Sequence, residues 1–177
     1  MNNNIILVGF MGTGKTTVGR RVSGKLNMDF YDTDEYIKKC EGMSVADVLT
    51  KKGTKYFEGA QRFAVQNICE NKNALIATGG GTLSDEKCRE IIFKNGITVW
   101  LRAKPETIYE NLEHSRNKRA ELTGKSQEEI VEILNLYSVD YEKSDIIVDV
   151  DENTHRDIDA VVDKVVKEIK QYTKENQ

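Results

Sequence analysis

The chain has 177 residues, of which 38% are hydrophobic and 31% are charged, and its formal net charge is -3. This length suits one domain with a substantial core, and the composition excludes a disordered or fibrous protein. The weakly acidic balance argues against a protein that binds nucleic acid or a membrane surface. We therefore predict a single domain over residues 1–177 that binds neither nucleic acid nor a membrane.

The N-terminus and the cysteines favour a cytoplasmic protein. No apolar stretch approaches the roughly 20 residues that a membrane span requires, and residues 1–4 lack the basic region of a signal peptide. Cys40, Cys69 and Cys88 are widely spaced and form no Cys-x-x-Cys pair, which is typical of reduced thiols. We expect a cytoplasmic monomer.

Short apolar runs alternate with helical patterns along the chain. Strands are predicted at Ile5–Val8, Met28–Tyr31, Ala74–Ala77, Ile97–Leu101 and Ile146–Val150. Helices are predicted from Lys15 to Leu26, from near Asp34, Ser44 and Asp85, from Pro105, after the capping box Ser126–Glu129, and along the apolar stripe Ile158–Ile169. This alternation indicates an α/β fold with a parallel sheet covered on both faces.

The segment Gly9–Thr17, GFMGTGKTT, satisfies the P-loop pattern between the first predicted strand and helix. Gly12 and Gly14 permit backbone conformations in which successive N–H groups point at phosphate oxygens. The helix that begins near Lys15 directs the positive end of its dipole to the same place. Lys15 adds a charge for the β- and γ-phosphates, and the Thr16 hydroxyl is a ligand for Mg²⁺. The pattern predicts nucleoside triphosphate binding but does not name the acceptor.

Two carboxylates, Asp32 and Asp34, follow the second strand. In an open parallel sheet, the carboxyl ends of neighbouring strands face one crevice in which ligands bind. One carboxylate would support Mg²⁺ through water, and the other would accept the proton of an attacking hydroxyl. A helix N-cap is the alternative interpretation of the pair, and Asp34 can serve in both roles.

Two further segments are candidates for the acceptor side. Gly79, Gly80 and Gly81 follow the third strand, where they permit close approach of a small ligand with N–H groups as donors. A polar, basic stretch at about residues 113–125 has the composition of a mobile lid, and its Arg119 would neutralise charge on the transferred phosphoryl group. A flexible turn and a solvated arginine are the alternative interpretations.

Together, the P-loop, Asp-x-Asp and Gly-Gly-Gly motifs after successive strands resemble the shikimate kinase family, from Ile5 to the last helix. The resemblance implies a three-layer P-loop kinase fold with a five-stranded parallel sheet in the order 2-3-1-4-5 and acceptor-binding helices at about residues 33–71. It implies MgATP as the donor and the 3-hydroxyl of shikimate as the acceptor. By position, it implies that the phosphates are held by Gly12, Thr13, Gly14, Lys15, Thr16 and Thr17, and that Thr16 ligates Mg²⁺ with support from Asp32. It also implies that Asp34 meets the acceptor hydroxyl and that the acceptor pocket is lined by Gly79, Gly80 and Gly81. Arg119 would be the lid arginine.

The chain departs from the family where the substrate carboxylate is bound. The family usually shows Gly-Glu-x-x-Phe-Arg-x-x-Glu, but here Glu58 takes the arginine's position and Gln61 that of the last glutamate. Tyr137 stands where a second carboxylate-binding arginine is expected, and the lid motif Arg-Pro-Leu-Leu is reduced to Arg119-Ala120-Glu121-Leu122. An arginine–carboxylate contact is strong, so a glutamate in its place opposes binding of an anion.

Two residues have open interpretations. Arg62 lies four residues after Glu58 on the same helical face, so it either compensates for the missing arginine or forms an ordinary surface pair with Glu58. Tyr137 lies on an apolar stripe, so it either packs in the core or contacts the acceptor.

These motifs predict ATP-dependent phosphorylation of a small hydroxylated metabolite, with shikimate as the leading acceptor. A related kinase for a neutral or amine-bearing polyol, such as one resembling gluconate kinases, is the first alternative, because Glu58 can accept hydrogen bonds from hydroxyls or pair with an ammonium. A nucleotide-binding regulator without activity is the second alternative. Asp34 argues against it, since a pure binder needs no carboxylate that faces a hydroxyl.

Overall fold

The structure is a computed structural model that describes residues 3–114, 125–151 and 157–176. Strands and helices alternate along the chain as the sequence predicts. Their bounds are β1 Ile5–Val8, α1 Lys15–Leu26, β2 Asp29–Asp32, α2 Thr33–Glu41, α3 Val45–Lys52, α4 Thr54–Cys69, β3 Ala74–Ala77, a short 3-10 helix Thr82–Ser84, α5 Glu86–Asn95, β4 Ile97–Arg102, α6 Pro105–His114, α7 Gln127–Tyr141, β5 Ile146–Asp149 and α8 Ile158–Glu175.

The five strands form one parallel sheet in the order β2-β3-β1-β4-β5, which confirms the predicted fold class and strand order. In the register of the sheet, Ala77 pairs with Leu7 of β1 on one side and with Asp32 of β2 on the other. The segments that follow β1, β2 and β3 therefore leave the sheet at one edge. This register brings the P-loop, Asp32 and the triple-glycine segment together.

Helices cover both faces of the sheet, because alternate strand residues point to opposite sides. On one face, Ile6 of β1 lies in a buried cluster with residues of α4, α5 and α7. On the other face, Leu7 lies in a buried cluster with residues of α1 and α8. Each fully buried side chain of this size contributes about 1.5–3 kcal/mol relative to exposure. The result is a three-layer α/β fold.

One glycine sets how closely α1 approaches the sheet. A Cβ on Gly19 would lie 2.7 Å from the Phe30 ring, 3.1 Å from Leu75 and 3.2 Å from Leu7. Because those side chains are tightly packed, any larger residue at position 19 forces the helix outward. The close approach holds the N-terminus of α1 at the sheet edge where the P-loop ends.

The helices α2, α3 and α4 pack beside the carboxyl edge of the sheet around Ile37, Val48 and Ala64, which are all fully buried. They lie within the residues 33–71 that the sequence assigned to acceptor binding. Contact between α2 and α4 and between α3 and α4 makes them one small cluster. This cluster places one face of α4 toward the edge where β2 and β3 end.

Helix α2 begins slightly earlier than predicted, and the reason is local. The Asp32 side chain accepts hydrogen bonds from the backbone N–H groups of Asp34 at 2.9 Å and Glu35 at 3.2 Å, so Asp32 rather than Asp34 is the N-cap. The strand β2 accordingly runs from Asp29 to Asp32 instead of ending at Tyr31. The predicted Ser126–Glu129 capping box is present at the start of α7. In the described ranges, no helix combines the length and apolar character that crossing a bilayer requires.

Candidate active site

The P-loop has the backbone geometry that a phosphate cradle requires. Gly12 and Gly14 have φ values of 83° and 86°, in the left-handed region that favours glycine. Gly14 directly precedes α1, and among the described residues no side chain caps the amides that open this helix. The Gly12 carbonyl is tied to α6 by a 2.8 Å hydrogen bond from the Asn111 side chain. The loop is therefore fixed, and the helix end behind it suits an anion.

Lys15 places a positive charge against this loop. Its side chain is almost completely buried, and its ammonium group donates hydrogen bonds of 2.7 Å to the carbonyls of Gly9 and Phe10. The Thr13 hydroxyl donates to the same Phe10 carbonyl at 2.9 Å, which closes the turn. A buried ammonium beside a ring of backbone amides gives strong electrostatic attraction for a polyphosphate.

Thr16 and Asp32, the two residues predicted to serve a metal, lie in contact. The Thr16 hydroxyl donates a 2.7 Å hydrogen bond to the Asp32 carboxylate. Burial raises the pKa of Asp32 above its ordinary value; the hydrogen bond from Thr16 acts against the rise, and the neighbouring Asp34 charge adds to it. Hydroxyl and carboxylate oxygens are the ligand types that Mg²⁺ prefers, with phosphates and water completing its shell. The donor set fits Mg²⁺, whose positive charge would favour the ionised form of Asp32.

A cavity of about 560 Å³ lies over the P-loop. The predicted phosphate-binding residues all line it: Gly12, Thr13, Gly14, Lys15, Thr16 and Thr17. Asp32 and Asp34 also line it, together with residues of α6, the residues that directly follow β5, and the start of α8. We call this space the nucleotide cavity. Its size and charge suit a nucleoside triphosphate, and the individual binding roles stay predictions.

A second cavity of about 530 Å³ adjoins the first, and Met11, Asp34 and Gly80 line both. The remaining predicted acceptor residues line this second space: Gly79, Gly81, Glu58, Arg62 and Tyr137. We call it the acceptor cavity. Asp34 therefore stands at the junction where a hydroxyl in one cavity would meet a phosphate in the other.

The triple-glycine segment packs closely against Asp34, Met11 and Tyr137. A Cβ on Gly80 would lie 2.7 Å from the Met11 backbone nitrogen, and one on Gly79 would lie 2.8 Å from an Asp34 carboxylate oxygen. The Gly80 carbonyl accepts a hydrogen bond from the buried Tyr141 hydroxyl. The Gly79 N–H donates to Thr33 Oγ1 at 2.8 Å, so it binds the protein and not a ligand, unlike the donor role expected from the sequence. These glycines serve close packing at the junction.

The main partner of Arg62 is Asp85, which neither interpretation of Arg62 included. Its Nε and Nη2 atoms lie 2.8 and 2.6 Å from one carboxylate oxygen of Asp85, whereas Nη2 is 3.9 Å from Glu58. Asp85 is the N-cap of α5, and its side chain is only 8% exposed. A buried carboxylate at a helix start binds a guanidinium more firmly than the half-exposed Glu58 does. The Glu58 pair is thus present but secondary.

Tyr137 packs at the edge of the core and also lines the acceptor cavity, and its contact with an acceptor stays a prediction. Its ring packs against Phe10 with the centroids 5.9 Å apart, so it belongs to the edge of the core. Its hydroxyl lies 3.5 Å from the position of a Cβ on Gly81, on the lining of the acceptor cavity. Arg119, together with residues 115–124 of the predicted lid, lies outside the described residues.

Sequence reasoning did not identify three residues of the site. Met11 lines both cavities, Asn111 holds the Gly12 carbonyl, and Asp85 binds Arg62. Asp85 carries a sequence signal, because an aspartate before a predicted helix is a good N-cap. Met11 lies within the predicted P-loop, but the pattern does not show that its side chain lines the second cavity. Asn111 acquires its position from tertiary packing alone.

A parallel sheet of this order, with a P-loop after the central strand and carboxylates at the same edge, defines a P-loop phosphotransferase. The sequence model described as "Shikimate kinase" matches residues 11–170. The chain belongs to the shikimate kinase family. It is a small-molecule kinase, and kinases of this family use ATP.

Relatives and solved structures agree with this assignment. The chain is 37% identical over 164 residues to the shikimate kinase of Caldanaerobacter subterraneus, with 93% of this chain and 94% of the relative covered. It is 36% identical over 165 residues to that of Thermodesulfovibrio yellowstonii, with the same coverage. The shikimate kinase structure from Bacteroides thetaiotaomicron superposes with a TM-score of 0.86 at 30% identity, covering 94% of this chain and 98% of that chain. The enzyme from Acinetobacter baumannii, in complex with shikimate, gives 0.86 at 25% identity, covering 94% and 92%.

Proposed function

We propose that the protein transfers the γ-phosphoryl group of ATP, with Mg²⁺, to a hydroxyl of a small metabolite. Membership of the family favours the 3-hydroxyl of shikimate as the first acceptor to test. The observation that carries the proposal is the junction of the two cavities, which share Met11, Asp34 and Gly80. A donor and an acceptor bound there would meet beside one carboxylate.

On the donor side, the backbone amides of the P-loop and the Lys15 ammonium would hold the phosphates. Thr16 would ligate Mg²⁺, and Asp32 would support the metal through water. Mg²⁺ supplies positive charge that neutralises the phosphate oxygens during transfer. Since phosphoryl transfer needs mainly positioning and charge stabilisation, a rigid loop with a buried ammonium contributes both.

On the acceptor side, Asp34 would orient the hydroxyl and take its proton. The acceptor oxygen forms a bond to the γ-phosphorus while the bond to the β–γ bridging oxygen breaks and ADP leaves. Asp34 is well placed for this, because its carboxylate lies against Gly79 at the junction of the two cavities. A positioned base of this kind typically contributes 10²–10⁴-fold to the rate, as an order of magnitude.

A coupled assay of ADP release with shikimate and MgATP tests the proposal. A Michaelis constant at or below about the millimolar level that is usual for enzymes supports shikimate as the acceptor. Turnover with another hydroxylated metabolite and none with shikimate retains the kinase and changes the acceptor. MgATP binding without turnover of any acceptor in a broad panel favours the regulator. The same preparation, measured by light scattering after size exclusion, tests the expected monomer.

A further inference from the structure

The acceptor cavity carries a charge pattern that does not suit an anionic ligand. Among the residues that the structure describes, four carboxylates line it and one guanidinium opposes them: Asp34, Glu58, Asp85 and Glu86 against Arg62. A cavity lined mainly by one sign of charge concentrates ligands of the opposite sign and repels those of the same sign. The described lining therefore favours a cationic acceptor over an anionic one.

The one guanidinium in the described lining already pairs with a carboxylate. Arg62 binds Asp85 through two nitrogens at 2.8 and 2.6 Å, and the other oxygen of Asp85 caps α5 by accepting from the Cys88 N–H at 3.0 Å. Burial acts to raise the pKa of Asp85, but the hydrogen bonds from Arg62 and Cys88 outweigh it, so the pKa is lowered. Asp85 is charged at neutral pH and fixed in place. If Arg62 turned to a ligand carboxylate, Asp85 would lose its cation, which is unfavourable for a buried charge.

Glu58 is the carboxylate best placed to contact a ligand. Its side chain is 46% exposed, and it lies on the α4 side of the cavity at the position where the family carries an arginine. The described ion pair to Glu58 is the long contact from Arg62 at 3.9 Å. Its oxygens accept hydrogen bonds, so they attract an ammonium or hydroxyl group and oppose a carboxylate.

We propose that the acceptor cavity selects a polyol that carries an ammonium group away from the reacting hydroxyl, and that Glu58 determines this specificity. The inference rests on the proposed phosphoryl transfer at Asp34 and narrows its acceptor. A neutral polyol should bind with intermediate affinity, since its hydroxyls can donate hydrogen bonds to Glu58 but cannot neutralise the negative charge of the carboxylate. The carboxylate of shikimate is the least favoured group at this position.

Three compounds that share the same ring and hydroxyl groups test the inference: shikimate, its methyl ester, and the analogue in which an aminomethyl group replaces the carboxylate. Calorimetry in the presence of Mg²⁺ and a non-hydrolysable ATP analogue measures their dissociation constants, and ADP release measures kcat/KM. We expect the amine to bind at least tenfold more tightly than the ester, and the ester more tightly than shikimate. Glu58→Gln should remove most of the amine's advantage, and Glu58→Arg should reverse the order.

Glu90→Gln is the matched control, because Glu90 is exposed on α5, away from the cavity, and the substitution makes the same change in charge. It should leave the order of affinities unchanged. Shikimate as the tightest ligand, no binding of any of the three, or an order unaffected by Glu58→Gln overturns the inference. Failure of the kinase proposal is distinct, since it would appear as absent MgATP binding or as tight acceptor binding without ADP release.

Discussion

Asp32 serves two elements with one side chain, and this arrangement has a cost. One oxygen accepts from the Thr16 hydroxyl, and the other caps α2 through the Asp34 and Glu35 amides. Because burial raises its pKa, the folded protein holds the Asp32 proton more tightly than the unfolded chain does. Stability from this group is therefore present at low pH and is lost as the pH rises through the raised pKa. At neutral pH, the ionised Asp32 destabilises the nucleotide-free protein.

Asp32→Asn separates these effects. The amide oxygen retains the cap acceptor and the buried charge is removed, so we expect a higher melting temperature at neutral pH. This gain should shrink as the pH falls toward the ordinary value of 3.8. The apparent affinity for Mg²⁺ in turnover should fall by about 10–100-fold, as for other residues that support a metal ligand. Thermal unfolding across pH and a Mg²⁺ titration of activity check both effects; a lower melting temperature at neutral pH would contradict the account of Asp32.

Asp34→Asn tests the neighbouring carboxylate. We expect kcat to fall by roughly 10²–10⁴-fold, because the acceptor hydroxyl loses its proton acceptor. ATP affinity, measured by calorimetry, should stay nearly unchanged, since the P-loop contacts remain. Glu35→Gln is the control, as this exposed residue directly follows Asp34 in α2 and pairs with Arg20 of α1. If Asp34→Asn retains turnover, Asp34 is not the base.

At the scale of elements, the triple-glycine segment and the P-loop fit because Gly80 carries no side chain where it meets Met11. A Cβ on Gly80 would lie 2.5 Å from Met11 Cγ and 2.7 Å from the Met11 backbone nitrogen. The side chain can rotate away, but the backbone contact requires one of the loops to move. Both loops are also tied elsewhere, by Tyr141 and by Asn111. The spacing between the two cavities therefore depends on this contact.

Gly80→Ala should lower the free energy of unfolding by about 1–3 kcal/mol, as overpacking does in a filled site. It should also reduce kcat, because Asp34 and the P-loop move apart. Gly59→Ala is the matched substitution: position 59 lies within α4, and a Cβ there meets nothing within 4 Å. It should stabilise the protein by about 0.5–1 kcal/mol through helix propensity. Chemical denaturation of both variants checks the difference, and equal effects would show that the Met11 contact is unimportant.

For the whole molecule, nucleotide binding should appear as stability. A ligand that binds only the folded protein adds about 2.7 kcal/mol when present at 100 times its dissociation constant. For a domain of this size, that is a rise of about 5–10 °C in melting temperature. Thermal shift with Mg²⁺ and a non-hydrolysable ATP analogue measures it. In Lys15→Ala, most of this rise in melting temperature should be absent. A full rise in that variant would show that the phosphates do not bind at Lys15.

The sequence predicted the fold well because its signals are local. The apolar runs and the Ser126–Glu129 capping box each depend on a few adjacent residues, and the structure confirms them. The bond between Arg62 and Asp85 spans 23 positions and that between Asn111 and Gly12 spans 99, so no short pattern reveals either. The change of charge at Glu58 is visible in the sequence. Only the folded chain shows that Arg62, the arginine four residues away, is already paired with Asp85.

Because the two cavities share lining residues, binding of a ligand in one cavity is coupled to binding in the other. Met11, Asp34 and Gly80 face both spaces, so a molecule in one space alters the surroundings of the other. Thermodynamic linkage requires such an influence to be mutual and equal in magnitude. If the bound triphosphate changes the affinity for the alcohol by some factor, the bound alcohol must change the affinity for the triphosphate by the same factor.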